Sequence, residues 1–287
     1  MDLGLQGRTA VITGGSMGIG KSVAEGLAAE SVNVVLLARG KEALEEAAAE
    51  IQSASGVDVL SVPTDVTDAA SVNAAAAATA ERFGTVEILV NTAGGRMRRP
   101  DRQILWEDSD WLGDIDIKTI GMLRTVRAFL PHMDTTGRGC IINVAGLAGV
   151  IVWEGAMTHG INNAAMTHIG RYLARDLAGD NIRVNTVAPG LIASEWRESA
   201  WAPMMAEKRQ ETVEEFLAWY ADQMGILVGR WGSMQEVADV VVFLASDRAG
   251  YINGAMIDID GGQAINPRPP SSQANVAHAP NEDAHER

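Results

Sequence analysis

Short apolar runs alternate along the chain with longer segments in which apolar residues recur at helical spacing. Each short run is rich in Val and Ile and is closed by Gly, Pro or Asn, as buried β-strands are. The runs look buried on both faces, which is typical of parallel strands. They predict seven strands, at 9–14, 32–38, 58–63, 87–94, 139–146, 182–190 and 255–262.

Helical patterns occupy most of the intervals between these strands. The predicted helical segments are 18–29, 41–53, 68–83, 103–132, 159–179 and 234–246. Regular alternation of strand and helix predicts an α/β fold, a Rossmann-type doubly wound parallel sheet. We expect a single domain over residues 1–265.

Two regions depart from this alternation. Residues 194–231 form a predicted helical excursion rich in Trp and Met, and they follow the carboxyl end of a strand. Ligands bind at that edge of such sheets, so we interpret the excursion as a cover over a substrate rather than as an oligomer contact. The polar, Pro-rich tail 266–287 is expected to be disordered.

The composition narrows the class of protein. The 287 residues carry a formal charge of -14, which argues against nucleic acid and anionic membranes as partners. The single cysteine excludes an internal disulfide and suits a reducing compartment. With no signal-peptide pattern and no stretch near the ~20 apolar residues of a membrane helix, we expect a cytoplasmic protein. Metal binding is not expected, because no His, Cys, Asp or Glu cluster has ligand spacing.

The stretch TGGSMGIG, residues 13–20, follows the first strand and opens a helix. Gly14 permits a tight turn, Gly18 lets a phosphate approach the backbone, and Gly20 permits close packing of helix on strand. The helix N-terminus then offers N–H groups to a pyrophosphate. The loop therefore predicts dinucleotide binding, to which Ser16, Met17 and Ile19 also contribute.

These motifs resemble those of the short-chain dehydrogenase/reductase family, and the resemblance extends over residues 5 to 262. TGGSMGIG resembles the family's T-G-x-x-x-G-I-G, NTAG (91–94) resembles N-N-A-G, and residues 230–262 resemble its closing helix and strand. Asp65-Val66 resembles the adenine-binding pair, and VAPGLIAS (187–194) resembles the P-G-x-x-x-T stretch that holds the nicotinamide carboxamide. The resemblance implies cofactor contacts from Asp65, Val66, Asn91, Ala93, Gly94, Pro189, Gly190, Ile192 and Ser194.

The end of the second strand indicates which dinucleotide binds. A carboxylate there would bond the ribose hydroxyls of NAD and repel a 2′-phosphate, but this chain has Ala38-Arg39, with Lys41 nearby. Because Arg pairs well with phosphate, we predict NADP, with NAD as the alternative. Met17 stands where NADP-dependent relatives often carry a second basic residue.

Resemblance to the family's Asn-Ser-Tyr-Lys tetrad locates the candidate catalytic residues. WLGDIDIKTIG (111–121) puts Lys118 at the Asn position, and INVAGLAG (142–149) puts Gly146 at the Ser position. THGINNAAM (158–166) puts His159 at the Tyr position and Asn163 at the Lys position. The spacings from Gly146 to His159 and from His159 to Pro189 are similar to those of the family, which argues against a shift of register.

Acid–base chemistry is still possible with these four residues. An imidazole titrates near ~6.5, so His159 exchanges protons at neutral pH without a cationic helper. Lys118 supplies a positive charge near the site or holds His159 neutral by repulsion. Asn163 can hydrogen-bond a ribose, so we also predict it to contact the cofactor. Gly146 offers only its backbone N–H, and Glu154 pairs with His159 or Lys118 or serves as a second base.

Three functions remain open. The favoured one is an NADP-dependent oxidoreductase acting on a carbonyl or alcohol, with His159 as the proton relay. Its small-molecule substrate is expected to be apolar or aromatic, because the predicted mouth holds Trp153, Trp196, Trp201 and Met204. The alternatives are a non-redox lyase, dehydratase, aldolase or isomerase that uses His159, Lys118 and Glu154, and a non-catalytic dinucleotide-binding protein. The family resemblance also implies a homotetramer or homodimer, built through helices 103–132 and 159–179 and the C-terminal strand.

Overall fold

A computed structural model describes residues 2–94, 103–153, 155–194 and 197–266. The described residues form one parallel sheet of seven strands, in the order β3-β2-β1-β4-β5-β6-β7. This sheet, with helices on both faces, confirms the predicted Rossmann-type fold. The strands are β1 Thr9–Thr13, β2 Asn33–Ala38, β3 Val59–Pro63, β4 Ile88–Asn91, β5 Cys140–Val144, β6 Arg183–Pro189 and β7 Met256–Ile259.

The helices lie in two layers. They are α1 Gly18–Ala29, α2 Lys41–Ser55, α3 Ala69–Phe83, α4 Asp108–Ile115, α5 Gly121–Phe129, α6 Met157–Asp176, α7 Ala202–Arg209, α8 Val213–Gln223 and α9 Met234–Ala245. Helices α1, α2 and α9 bury apolar side chains against one face of the sheet, and α3, α5 and α6 against the other. Strand β1 shows why the sheet has two cores, because Ala10 and Ile12 face one and Val11 faces the other.

The segment 103–132, predicted as one helical stretch, is divided. It consists of a 3-10 turn at Gln103–Leu105, α4, a π-helical segment at Asp116–Ile120, α5, and a 3-10 turn at Leu130–His132. In the π-helical segment the Gly121 amide donates to the carbonyl of Asp116, five residues earlier. Such wide turns are rare and occur often at functional sites. Here the wide turn carries Lys118.

The predicted excursion is helical, as expected, but its aromatic residues form a core of their own. Trp201 is only 4% exposed. Its ring packs against Phe216, Tyr220 and Trp231 at centroid distances of 5.3, 5.3 and 5.5 Å. The expectation that Trp201 lines an open mouth was therefore wrong, because this indole stabilises the excursion itself. Trp196 and the tail from 267 lie outside the described residues.

Candidate active site

The loops that carry the predicted site all leave the same edge of the sheet. Strands β1, β4, β5 and β6 are adjacent and parallel, so their carboxyl ends lie side by side. The glycine loop follows β1, NTAG spans the end of β4, Gly146 follows β5, and Gly190 follows β6. The topology therefore gathers the candidate residues into one crevice, at the edge where ligands bind in open α/β sheets.

The glycine loop has the shape that a pyrophosphate needs. Gly14 and Gly18 have φ values of +68° and +59°, which a side chain rarely adopts. A Cβ atom on Gly20 would lie 2.2 Å from the Gly14 carbonyl oxygen, whereas one on Gly18 would meet no atom within 4 Å. Gly20 thus allows the helix to pack closely, and the space beside Gly18 is open. The N-cap residue Met17 makes no side-chain cap, and Ser16 and Ile19 are half-buried beside it.

Hydrogen bonds tie the glycine loop to NTAG. The Thr13 hydroxyl oxygen accepts from the amides of Thr92 at 3.0 Å and Ala93 at 3.1 Å, and the Thr92 hydroxyl donates to the Thr13 carbonyl. Asn91 is buried and donates to Asn143 Oδ1 at 2.9 Å. Asn91 therefore joins β4 to β5, while half-buried Ala93 and exposed Gly94 lie nearer the surface.

The predicted adenine end is also ordered by local bonds. Asp65 accepts from the Thr67 amide at 2.9 Å and from its hydroxyl at 2.7 Å, and these bonds lower the pKa of the Asp65 carboxyl. The nearby positive charge of Arg39, which is exposed at the end of β2, contributes to the same shift. The Val66 carbonyl accepts from Arg124 Nη1 at 3.1 Å. Arg39 and Asp65 follow the paired ends of β2 and β3, so both lie at the predicted adenine end.

The predicted nicotinamide end follows β6. Pro189 is the last residue of the strand, and the Gly190 amide donates to the Ile259 carbonyl at 2.9 Å. A Cβ atom on Gly190 would lie 2.9 Å from the Asp260 Cα atom, so the close approach to β7 requires glycine. Ile192 is buried and pairs with Gly232 in a parallel bridge, and Ser194 is half-buried just beyond it.

The four candidate catalytic residues come from three different elements and meet at Gly146. A Cβ atom placed on Gly146 would lie 2.7 Å from Asn163 Nδ2 and 3.5 Å from His159 Nε2. Lys118 Nζ donates to Asn163 Oδ1 at 2.5 Å and to the Ala145 carbonyl at 3.3 Å. The cluster therefore brings together residues that lie up to 45 positions apart in the sequence.

Burial distinguishes the members of this cluster. Lys118 is 7% exposed, and desolvation lowers the pKa of its ammonium group from 10.5 to about 8. Asn163 is 0% exposed, so its amide offers no surface to a ribose in this arrangement, contrary to the predicted cofactor contact. His159 is half-buried and reaches the surface of the cluster. Glu154 lies outside the described residues.

Residues that the motifs did not indicate hold the start of α6. The Met157 amide donates to Gln103 Oε1, which is buried. Thr119 donates to Asn162 Oδ1 at 2.5 Å, and Asn162 Nδ2 donates to the Thr158 carbonyl at 3.0 Å. Thr158 and Asn162 are polar residues one turn apart on the buried side of α6, and this spacing was the available sequence signal.

Comparison with known proteins agrees with this architecture. Residues 14–264 match the family described as Enoyl-(Acyl carrier protein) reductase. The chain is 31% identical over 261 residues to the 3-oxoacyl-(acyl-carrier-protein) reductase of Thermotoga maritima, covering 91% of this chain and 99% of that protein. It is 34% identical over 263 residues to the galactitol 2-dehydrogenase (L-tagatose-forming) of Cereibacter sphaeroides, covering 91% and 96%.

A solved structure shows the same fold. L-sorbose reductase of Gluconobacter frateurii, complexed with NADPH and L-sorbose, superimposes with a TM-score of 0.83 at 34% identity, covering 92% of this chain and 99% of that one. The fold and these relatives thus indicate an enzyme of the oxidoreductase type. The chain belongs to the short-chain dehydrogenase/reductase family. In the described residues no helix is long and apolar enough to cross a membrane.

Proposed function

We propose that the protein is an NADP-dependent oxidoreductase that interconverts a carbonyl and an alcohol, with His159 exchanging the proton. The observation that carries the proposal is the convergence of His159 Nε2 and Asn163 Nδ2 within 3.5 Å of one point above Gly146. This cluster follows β5, between the glycine loop after β1 and the Gly190 turn after β6. The proposal therefore assigns proton exchange to a ring beside the loops that are predicted to bind the cofactor.

The glycine loop fits a dinucleotide, because Gly18 leaves open space at an uncapped helix N-terminus. NADP, when bound, accepts or supplies the hydride. His159 takes the alcohol proton in the oxidising direction and returns it to the carbonyl oxygen in the reducing direction. In this proposal Asn163 and Lys118, which are both buried, position the ring. In this proposal the four residues replace the family's Asn-Ser-Tyr-Lys tetrad.

Replacement of His159 by Gln tests the proton role. His159→Gln keeps a side-chain amide in place of the ring but removes the titrating group, so kcat/KM should fall about 10²-fold or more. Oxidation of NADPH, followed by its absorbance, measures the rate. The matched control is His168→Gln on the same helix, where His168 packs on Tyr172 at 5.2 Å. If His159→Gln turned over at the wild-type rate, His159 would have no part in proton exchange.

The substrate class is proposed from two kinds of support. Trp153 and Met204 are half-buried on the segments that follow β5 and β6, and they favour an apolar or aromatic carbonyl compound. Relatives named for galactitol, threitol and L-sorbose favour a polyhydroxy ketone or alcohol instead. We favour the apolar class, and matched panels of aryl ketones and ketoses separate the two by kcat/KM.

A non-redox reaction is the second candidate, favoured by one observation. The cluster contains a buried ammonium and an imidazole but neither a phenol nor a hydroxyl at the four tetrad positions. Such a set suits proton abstraction in a lyase, dehydratase, aldolase or isomerase. Complete conversion of a substrate with unchanged NADPH absorbance would support this reaction. NADP binding without turnover of any compound would support the non-catalytic alternative.

We also propose that the chain assembles as a homotetramer or homodimer. Large apolar side chains are exposed around α4 and α6, the elements predicted to form the interface. They include Leu105, Leu112 and Ile161. Apolar surface of this kind is common where subunits meet. Light scattering of the purified chain measures the assembly directly.

A further inference from the structure

The amide of Asn163 has one orientation that satisfies its neighbours. An ammonium group only donates hydrogen bonds, so the oxygen of the amide must face Lys118. The observed contact, Lys118 Nζ to Asn163 Oδ1 at 2.5 Å, obeys that requirement. The amide nitrogen is therefore turned the opposite way, toward Gly146, where its N–H groups meet no acceptor among the described residues. A buried donor left unpaired in this way costs free energy, so its presence calls for an explanation.

The charge behind this amide is not neutralised. Lys118 bonds to two neutral oxygens, and it forms no ion pair with a described residue. The carboxylate nearest in sequence, Asp116, instead accepts from Arg124 at 2.6 Å. The elements packed around Lys118 carry other charged side chains. They are Asp108, Asp110 and Asp114 on α4, Arg127 on α5, and Arg171, Arg175 and Asp176 on α6. Helix α6 also carries two histidines, His159 and His168. Because burial is the cause of the lowered Lys118 pKa, none of these groups dominates its environment.

We propose that Lys118 is a positioning residue that fixes the Asn163 amide with its donor side toward Gly146, the residue that His159 Nε2 also approaches, and thereby holds the imidazole neutral near physiological pH. A positive charge and an N–H donor both disfavour a protonated ring nearby. A neutral ring is ready to accept the proton of an alcohol, so the arrangement adapts the site to oxidation of an alcohol. The inference rests on the proposed function in one respect, which is that His159 is the residue that transfers the proton.

Titration of His159 by NMR tests the inference in the ligand-free protein. The chain has five histidines, and the resonance missing from His159→Gln identifies His159. In Lys118→Met the His159 pKa should rise by about half a pH unit or more, because the repelling charge is gone. Lys208→Met, which makes the same change at an exposed site on α7, should leave it unmoved.

A second variant covers the case in which Lys118→Met does not fold. Asn163→Asp keeps an oxygen for Lys118 but replaces the donor side of the amide with an acceptor, so the His159 pKa should again rise. An unchanged His159 pKa in Asn163→Asp, and in Lys118→Met where it folds, overturns the proposal.

The titration needs no turnover, so it separates the two proposals. A shifted pKa in a protein that oxidises no alcohol would retain the positioning role and remove the hydride function. Where alcohol oxidation occurs, the acidic limb of the pH profile of kcat/KM should move upward with the titration. A loss of stability alone would not move that limb.

Discussion

At the scale of single residues, Gly146 and Asn163 depend on each other. The Asn163 amide occupies the space that a side chain at position 146 would need, since the two atoms would be 2.7 Å apart. Glycine at this position is therefore a steric condition for the Lys118–Asn163 bond. Lys118, Gly146, His159 and Asn163 form one cluster, and none of them can be understood alone.

Gly146→Ser restores the hydroxyl of the family pattern and tests this dependence. The added Cβ atom should push the Asn163 amide from Lys118, and we expect kcat/KM to fall about tenfold or more for a misplaced site of this kind. In an Asn163→Ala background the same change meets no amide, so its effect should be much smaller. Kinetics of the two single variants and the double variant measure the coupling. Additive effects would mean that Gly146 and Asn163 are independent.

At the scale of elements, the hydrophobic pattern predicts most of the fold. All seven strands lie within a few residues of their expected positions, and α1 has the bounds that were predicted. Buried parallel strands are continuous apolar runs, which is why the pattern suffices for them. It does not register the π-helical turn at Asp116–Ile120, because one additional residue in a helix barely changes the apolar spacing. The buried position of Lys118 therefore became evident only from the structure.

We predict that a residue in the turn between β2 and α2 decides the preference between NADP and NAD. Arg39 is exposed there, and Arg39→Gln should remove the charge that we propose binds a 2′-phosphate. We expect the KM for NADPH to rise about tenfold, as is usual for the loss of one charge-assisted bond, with little change for NADH. Arg82→Gln, the same change at an exposed arginine that pairs with Asp58 at 3.1 Å, is the matched control. An equal loss with both cofactors would show that Arg39 does not read the phosphate.

At the scale of the whole molecule, the fold assembles the site from segments distant in the sequence. The motif spacing was enough to predict which residues approach one another, because parallel strands bring their carboxyl ends together. Composition did not reveal which way the aromatic rings of the excursion face. A Trp-rich segment can cover a ligand or form a core of its own, and Trp201 does the latter. The orientation of the Asn163 amide likewise depends on a lysine 45 residues away.

The cluster also affects the stability of the whole chain through pH. The pKa of Lys118 is lowered to about 8 in the folded protein, whereas an unfolded lysine titrates near 10.5. Between these values the unfolded chain binds more protons, so this residue makes stability increase with pH. The free energy that the buried charge of Lys118 costs the folded state is lost in full below about pH 8, and none is lost above about pH 10.5. Relative to its value at pH 10.5, the unfolding free energy of Lys118→Met should therefore gain an advantage over wild type of up to about 3 kcal/mol at pH 7. The two hydrogen bonds that Lys118 donates are lost in this variant at every pH, so they do not alter this pH-dependent part.

That advantage should shrink steadily as the pH rises from 8 to 10, because only the wild-type protein is relieved of its buried charge. Urea denaturation of both proteins across this range measures the difference, and Lys208→Met serves as the flat reference. Comparison with a variant cancels the other groups that titrate in alkali. A difference independent of pH would show that Lys118 remains charged in the folded state, with its ammonium stabilised as well as it is in water.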